Sequence, residues 1–322
     1  MPIQKYITIG FSTHRPETVP LAAKYMQRHD AIILEEPESP GFRQMLSGEM
    51  TIYDYLMDSD FEFPEFSRKS CELYRRFYEE GKQLLQIDPY MERLNAIRDI
   101  FDQGGKPSDI DPHSTLGPVY AAERSWTAAL LAYYENCLTA PFTEVVELIK
   151  CFSREDAARS RLRDEMRAVT IDDITPIYST LYIEAGTLHL YLVNRLRALL
   201  QSNYHLKQIY LTAPTVQRIC GRRHALGPGD KLTLHYTYRP NFVGARTDLL
   251  AAQNLIHSKI QLKDEMVGTA DKFPHTHDEV KTAALVSRLS YSDCSKLYDE
   301  IKHKSTIEAR VVVQVYLNRN AT

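Results

Sequence analysis

The sequence predicts an α/β fold: a mostly parallel central sheet flanked by helices, with a helical insertion and a C-terminal α/β extension. Short apolar runs typical of buried strands alternate with longer helical patterns in the first part of the chain. Two of these runs lead into a glycine followed closely by a histidine, in Gly10-Phe-Ser-Thr-His14 and Gly186-Thr-Leu-His189. Ligands of open α/β sheets bind outside the carboxyl ends of the strands. The same pattern therefore predicts both the fold and the place of a site.

The N-terminal elements form a β-α-β unit. Residues 5–11 and 30–34 are predicted strands, and residues 16–29 between them have the apolar spacing of an amphipathic helix. Such units wind right-handed into a parallel sheet. Residues 42–81 are helical, and residues 83–87 form a third strand.

The segment between residues 53 and 78 is unusually aromatic. We interpret it as core and interface, and an aromatic lid over a ligand is the alternative. Its aromatic side chains are Tyr53, Tyr55, Phe61, Phe63, Phe66, Tyr74, Phe77 and Tyr78.

The middle of the chain continues the alternation. A helix ends near residue 102, and residues 103–112 are a loop rich in turn formers. Two long helices, 120–137 and 142–169, are separated at Pro141 because proline cannot donate the helical hydrogen bond. The remaining elements are a fourth strand that begins at Leu181, a helix over 191–201 and a fifth strand over 207–212.

The last third has a different pattern. A turn signal at 227–230 precedes residues 231–238, which alternate with period two and are predicted as a half-exposed strand. Helices over 246–267 and 278–289 and a final strand over 309–317 follow. We therefore expect a core domain, 1–212, with a helical insertion at about 42–81 and 119–169. Residues 213–322 would form a C-terminal α+β extension or small domain.

Composition limits the function classes. The formal net charge is -3 and no run of lysine or arginine is present, so neither a nucleic acid nor an anionic membrane is an expected partner. The five cysteines are scattered without a Cys-x-x-Cys pair, which favours a reducing compartment. No apolar leader precedes the first strand, and no apolar run could span a bilayer. We expect a cytoplasmic protein acting on a small molecule or peptide, with homo-oligomerisation left open.

Polar side chains follow four of the predicted strands. If these strands are parallel neighbours, one rim of the sheet presents His14, Glu35 with Glu36, Asp88 and His189. Mixed imidazole and carboxylate groups form either an acid/base site or a site for manganese, iron, cobalt or zinc. Glu35 and Glu36 alternate in direction, so only one faces the cleft, and Glu35 is favoured. Asp88 precedes a proline and is interpreted first as a helix cap.

Three arginines recur every four residues before the fourth strand. Arg159 and Arg167 are expected on a solvated helix face, paired with Glu155 and Asp164. Arg163 is the candidate for holding a substrate carboxylate or a developing oxyanion.

A second cluster, His275 and His277 with Asp278, is interpreted as the N-terminal cap of the next helix rather than a metal site. The glycine-rich dinucleotide loop, the Walker A loop, the Gly-x-Ser-x-Gly elbow and the His-Glu-x-x-His helix are all missing from the sequence. These absences disfavour dinucleotide-binding, nucleotide-triphosphate-binding and serine-hydrolase functions.

The two histidine turns resemble the TraB/Tiki group, within a wider set that includes ChaN-like haem-binding proteins and erythromycin esterases. Gly186-Thr-Leu-His189 matches the second turn of that pattern, while Gly10-Phe-Ser-Thr-His14 carries one extra residue. Leu34-Glu35-Glu36 matches the acidic strand end, and Arg163-Asp-Glu-Met166 resembles the helix before the late strand. The resemblance covers residues 5–200.

This resemblance implies a fold more firmly than a reaction, because one scaffold can carry several chemistries. Tiki proteins are divalent-metal-dependent proteases, erythromycin esterases use a histidine base without an obligatory metal, and ChaN proteins bind haem. The leading prediction is a hydrolase of a peptide, amide or ester bond. In it His14 and His189, with Glu35 or Glu36, bind a divalent ion (Mn, Co, Fe or Zn) or activate water, and Arg163 holds a substrate anion or the oxyanion. A haem- or peptide-binding protein is the alternative, and a metal-free esterase-like or non-hydrolytic small-metabolite enzyme is a further one.

Overall fold

A computed structural model describes residues 5–57, 63–200, 204–268 and 270–319. Phe61 of the aromatic segment and Gln201 at the end of a predicted helix lie outside these ranges. The chain divides into two compact units. The first comprises Met1–Leu116, Arg161–Thr215 and Glu265–Phe273, and the second Gly117–Ser160, Val216–Asp264 and Pro274–Thr322. This division differs from the expected one at residue 212, because the helices between 117 and 160 belong to the second unit.

The five predicted strands of the first 212 residues form one sheet. They are β1 (Lys5–Ser12), β2 (Ala31–Leu34), β3 (Gln83–Gln86), β4 (Thr180–Gly186) and β5 (Tyr204–Tyr210). Their order in the sheet is β3-β2-β4-β1-β5, and every pair is parallel. The predicted α/β fold with a parallel central sheet is confirmed, and β1, β2 and β4 are adjacent.

The helices of the described residues occupy most of the remaining chain. In chain order they are α1 (Val19–Met26), α2 (Pro40–Ser47), α3 (Ile52–Met57), α4 (Pro64–Glu79), α5 (Pro89–Asp102), α6 (Gly117–Asn136), α7 (Phe142–Ile174), α8 (Leu190–Leu199), α9 (Ala213–Cys220), α10 (Pro228–Tyr238), α11 (Ala245–Ile260), α12 (Pro274–Val286), α13 (Tyr291–Ile301) and α14 (Thr306–Arg319). Among the described residues, no helix combines the length and apolarity needed to cross a membrane.

Both faces of the sheet are covered by apolar side chains. On one face Ile32 and Tyr182 join a core formed with α1, α2 and α4. On the other face Ile33 and Ile183 join a core with Ala168 of α7 and α8. Burial on both faces explains why these strands are continuous apolar runs rather than alternating ones.

Most of the aromatic segment lies in the first of these cores. Tyr55, Tyr74 and Phe77 are buried there, in agreement with the preferred interpretation of the segment as core. Tyr53 is 70% exposed and takes no part in that core.

The predicted strands of the last third are wrong. Residues 231–238 lie in α10, whose buried residues Leu232, Thr233, Tyr236 and Thr237 follow the helical period of 3.6 rather than the strand period of two. Residues 309–317 lie in α14, where Ala309, Val313 and Leu317 are buried at intervals of four. The described part of the second unit contains helices and no strand, so the C-terminal extension is not α+β.

Helix-start signals explain these two errors. Pro228 and the Asp230 carboxylate, which accepts from the Gly227 backbone N–H at 2.8 Å, begin α10. Ser305 and Glu308 form a reciprocal capping box at the start of α14. In both cases a helix-capping residue lies just before the apolar run, and this sequence signal indicates that the run is helical.

Candidate functional site

The turns after β1 and β4 lie side by side. Ser12 pairs with Gly186 in the sheet, and the backbone N–H of Thr187 donates to the Ser12 carbonyl at 3.1 Å. A Cβ atom on Gly186 would lie 3.3 Å from Cδ2 of His189, 3.5 Å from Cε1 of His14 and 3.7 Å from Oε2 of Glu35. The structure therefore brings the two histidines and Glu35 together around one glycine, which has no side chain to fill the space.

His14 has a left-handed backbone, with φ of 51°. This conformation is costly for a residue with a Cβ atom, and it occurs preferentially at functional sites. Its backbone N–H donates to Oγ of Ser12 at 3.0 Å, and its ring centroid lies 5.4 Å from that of Phe66. The extra residue in the first turn is thus accommodated by a tight, left-handed turn.

Phe66 is positioned by the first turn of α4. The Glu265 carboxylate accepts from the backbone N–H groups of Glu65 at 2.8 Å and Phe66 at 2.9 Å. A carboxylate is stabilised there by the unpaired N–H groups and the positive end of the helix dipole. Glu265, which belongs to the first unit, thereby positions the aromatic residue that contacts His14.

His189 lies between two carboxylates. Nδ1 is 2.5 Å from Oδ1 of Asp164, and Nε2 is 2.8 Å from Oε1 of Glu35. Oδ2 of Asp164 accepts from the backbone N–H of Leu192 at 2.9 Å, which ties the pair to the start of α8. Burial lowers the pKa of His189, but the negative charges of Glu35 and Asp164 outweigh burial and raise it to about 9. His189 is therefore an imidazolium at neutral pH and donates from both ring nitrogens.

Glu35 is the centre of the charge network. Its Oε2 accepts from the Gly186 backbone N–H at 2.5 Å and lies 3.7 Å from Nη1 of Arg167, while Oε1 lies 3.2 Å from Nη2 of Arg163. Burial raises the pKa of Glu35, but His189, Arg163 and Arg167 outweigh burial and hold it well below its usual range. Glu35 is consequently an ionised carboxylate with fixed orientation.

The same charges act differently on His14. Burial lowers the pKa of His14; the negative charge of Glu35 raises it in part, and the positive charges of His189, Arg163 and Arg167 lower it again. His14 is neutral at neutral pH, so one of its ring nitrogens has a free lone pair. The two histidines of the rim thus have opposite charge states.

Asp88 combines the predicted cap with an ion pair. Its Oδ1 accepts from the Met91 backbone N–H at 3.2 Å at the start of α5, and its Oδ2 accepts from Nε of Arg163 at 2.8 Å. Arg163 bridges Asp88 and Glu35, and 19% of its side chain is exposed. It is the one guanidinium of this network with a partly accessible surface, as its predicted role requires.

The prediction that Arg167 lies on a solvated face of α7 is wrong. Its side chain is fully buried and donates to the carbonyls of Ile87 at 3.1 Å and Glu184 at 3.0 Å, so it joins β3 and β4 beneath the rim. Arg159 pairs with Glu123 at 2.5 Å in the second unit. A charged residue on the buried side of a helix has to be paired, which explains the position of Arg167 below Glu35.

Sequence reasoning missed Asp164 as a partner of His189. The available signal was the helical period: Asp164, Arg167, Ala168 and Ile171 share one side of α7, and all four are buried. Two charged residues on an apolar helix face indicate a buried polar network rather than a solvated face.

Glu36 contacts the end of β3 rather than the two histidines. Its Oε2 accepts from Nε2 of Gln86 at 3.0 Å, and burial raises its pKa. Glu184 of β4 is also buried near Glu36, where it accepts from the Tyr74 hydroxyl at 3.1 Å. Burial, with the nearby negative charges of Glu36 and Glu35, raises the pKa of Glu184 to about 8. Glu36 therefore does not join the predicted set of His14, Glu35, Arg163 and His189.

The second predicted cluster is part of the second unit. His275 and Thr276 are buried near the start of α12, which begins at Pro274. Asp278 forms an ion pair with Arg310 and accepts from the Leu262 backbone N–H at 3.3 Å. The structure begins α12 before the expected cap residues, and Asp278 is engaged by an arginine.

The donor set at the rim does not fit the predicted divalent ion. A metal-binding histidine needs a free lone pair, but both nitrogens of His189 donate to carboxylates. Both oxygens of Glu35 are engaged by cations or a backbone N–H. Within the described ranges, no group of three histidine, cysteine, aspartate or glutamate side chains is arranged to hold a metal.

The chain is similar to a protein of an archaeon. The chain is 28% identical over 291 residues to a protein of Archaeoglobus fulgidus described as "Uncharacterized protein", covering 90% of this chain and 97% of the relative. No family model matches the chain, and no solved structure matches it. The near-complete coverage shows that the two proteins are similar along both compact units. The resemblance to the TraB/Tiki group stays a prediction.

Proposed function

We propose that this protein is a metal-independent hydrolase of a peptide, amide or ester bond, with His14 as the general base. The observation that carries the proposal is the arrangement of His14, His189 and Glu35 around Gly186, where burial and neighbouring charges favour a neutral His14 beside a cationic His189. Environments that separate the protonation states of neighbouring groups are typical of acid/base sites.

His14 accepts the proton of the attacking water. It then returns this proton to the leaving group, as a single histidine does in the serine-hydrolase triad. The ionised Glu35 stabilises the positive charge that forms on His14 by Coulomb attraction. His189 and Arg167 hold Glu35 in place and keep it ionised.

The oxyanion of the tetrahedral intermediate needs positive charge at the rim. Arg163 lies there, bridged to Asp88 and Glu35, and its guanidinium is partly accessible. A fixed guanidinium stabilises a developing negative charge without reorganising during the reaction. Arg163 is therefore assigned to the oxyanion or to a substrate carboxylate.

Hydrolysis of p-nitrophenyl esters, p-nitroanilides and a mixture of peptides in the presence of EDTA tests the proposal. We expect His14→Gln to lower kcat/KM by about 10²- to 10⁴-fold, the usual contribution of a general base. His113→Gln, which alters an exposed histidine of the same unit, is the matched control and should keep full activity. The kcat/KM of the wild type should rise with pH through a pKa below 6.5.

Three results would contradict the proposal. Hydrolysis that survives His14→Gln would show that another group is the base. Activity that EDTA abolishes and manganese or zinc restores would support the predicted metal-dependent hydrolase instead. A screen in which the folded wild type cleaves none of these bonds would remove the hydrolase function.

A further inference from the structure

A cavity of about 310 Å³ lies in the second unit, formed by the loop between α9 and α10 together with α12. This volume is in the usual range for small-ligand sites. Arg222, Arg223 and Lys231 line one part of it. Among the described residues of the lining there is no carboxylate, although the protein as a whole has a net charge of -3.

The three cations are not neutralised by neighbouring acids. In the described part of the chain, the side chains of Arg222, Arg223 and Lys231 form no ion pair and no hydrogen bond. The adjacent acid, Asp230, instead accepts from the backbone N–H of Gly227 at 2.8 Å and caps α10. Three unpaired cations in the lining of one cavity produce a positive potential that concentrates anions.

The repulsion between these cations destabilises mainly the charged form of Lys231, which is half-buried. Burial lowers its pKa, and the positive charge of Arg222 lowers it further, while Asp230 opposes this only in part. An anion placed between Lys231 and Arg222 would replace repulsion with attraction. Clusters of unpaired like charges around a concave surface are expected where a ligand of opposite charge binds.

The cavity also has an apolar lining. Leu226, Val280, Ala283 and Ala284 contribute aliphatic surface, and the two alanines of α12 leave the space open. A ligand for this cavity thus needs a strongly anionic head and an apolar body. Two guanidinium groups and one ammonium match the several oxygens and the double charge of a phosphate better than a single carboxylate.

We propose that this cavity is a binding site for a small phosphorylated molecule, with its phosphate held by Arg222, Arg223 and Lys231 and its apolar body against Leu226, Val280 and the α12 alanines. The site is independent of the proposed hydrolase function, because it uses none of the residues of the sheet rim.

Calorimetric titration with phenylphosphonate tests the proposal, because this probe carries a phosphate-like head on an aromatic body and cannot be hydrolysed as an ester. Methylphosphonate has the same anionic group with only a methyl substituent, and benzyl alcohol has an aromatic ring without the anionic group. We expect saturable binding of phenylphosphonate, with the Kd of each partial probe at least about tenfold weaker. Binding should weaken as salt is added, because part of the attraction is between exposed charges.

Variants test the cationic and the apolar lining residues of the cavity separately. Arg222→Gln and Lys231→Gln should each raise the Kd for phenylphosphonate about tenfold or more, which is the worth of one charge-assisted contact. Ala284→Leu should also raise it, since a helix-compatible side chain fills the apolar half without changing charge. Arg218→Gln, an exposed arginine on α9 that does not line the cavity, is the charge-matched control and should leave the Kd unchanged.

The proposal is overturned if the wild type shows no saturable binding of phenylphosphonate. It is equally overturned if Arg218→Gln weakens binding as much as Arg222→Gln, because the attraction would then be a general surface effect. Equal Kd values for methylphosphonate and phenylphosphonate would contradict the part of the proposal in which an apolar group of the ligand contacts the cavity. Because Arg222 is exposed, its variant should fold, and circular dichroism of each variant checks this.

Discussion

His189 should control how the stability of this protein depends on pH. Its pKa rises from 6.5 to about 9 on folding, because Glu35 and Asp164 overcome the effect of burial. A group with a raised pKa binds its proton more tightly in the folded state. Its contribution to stability is therefore fully present below pH 6.5 and is lost as the pH rises through 9. The difference between the two pKa values corresponds to about 3 kcal/mol at 25 °C.

Urea unfolding monitored by circular dichroism between pH 6 and pH 10 measures this contribution. Glu184 also titrates in this window, so the comparison is made in a Glu184→Gln background. There, the free energy of unfolding should fall by about 3 kcal/mol across the range. Adding His189→Gln should lower the stability at pH 6 and remove the fall. Adding His113→Gln, at an exposed histidine, should leave the fall intact.

A direct measurement supports or refutes the reasoning independently of folding. The imidazole resonances of His189, assigned by their loss in the variant, should titrate near pH 9 in the wild type. Titration at or below 6.5, or an unchanged fall of stability in His189→Gln, would refute the imidazolium between two carboxylates.

Three further changes probe two buried charged groups and one helix cap. Glu184→Gln should remove a loss of stability that the wild type shows as the pH rises from 4.5 to about 8, because the Glu184 pKa is raised on folding. The same pH dependence of the unfolding free energy in both proteins, measured by urea unfolding, would contradict this. Arg167→Met should lower the free energy of unfolding by about 3 to 5 kcal/mol, since Glu35 loses a buried cation, whereas Arg68→Met, at exposed ion pairs with Glu65 and Glu72, should cost about 1 kcal/mol or less. Equal losses of unfolding free energy in the two variants, measured by urea unfolding, would contradict the argument that a buried ion pair matters more than an exposed one. Ser305→Ala should lower stability by about 1 kcal/mol by removing the α14 cap, and an unchanged thermal midpoint would count against that cap.

The sheet and the position of its histidine turns were predictable from the sequence. The central strands β1, β2 and β4 contain apolar runs that are followed by or end in glycine or acidic residues, and these strands are buried on both faces of the sheet. Because parallel strands end at the same edge, His14, Glu35 and His189 were expected to meet, and the structure brings them together.

The last third was predicted less well because its local patterns are ambiguous. Residues 231–238 alternate in polarity, which favours a strand, yet the same residues also present a helical apolar face. Which face is used depends on what packs against it, and the α10 residues Leu232 and Tyr236 pack with α11 and α13 residues such as Ile256 and Leu297. Tertiary packing overrides a period of two over a segment this short.

By itself, the sequence determined the parallel sheet and the meeting of two imidazoles at one rim, because strand periodicity and sheet topology depend on local patterns. Only the tertiary structure decided the charges of those imidazoles. Asp164 comes from the middle of α7 and Arg167 from one turn later, and both reach the rim through the packing of that helix on the sheet. Protonation depends on burial and on the distances between charges, and neither is encoded by spacing along the chain. The glycine-to-histidine turns therefore predicted where the two imidazoles meet, while the buried charges around Glu35 decided their protonation states.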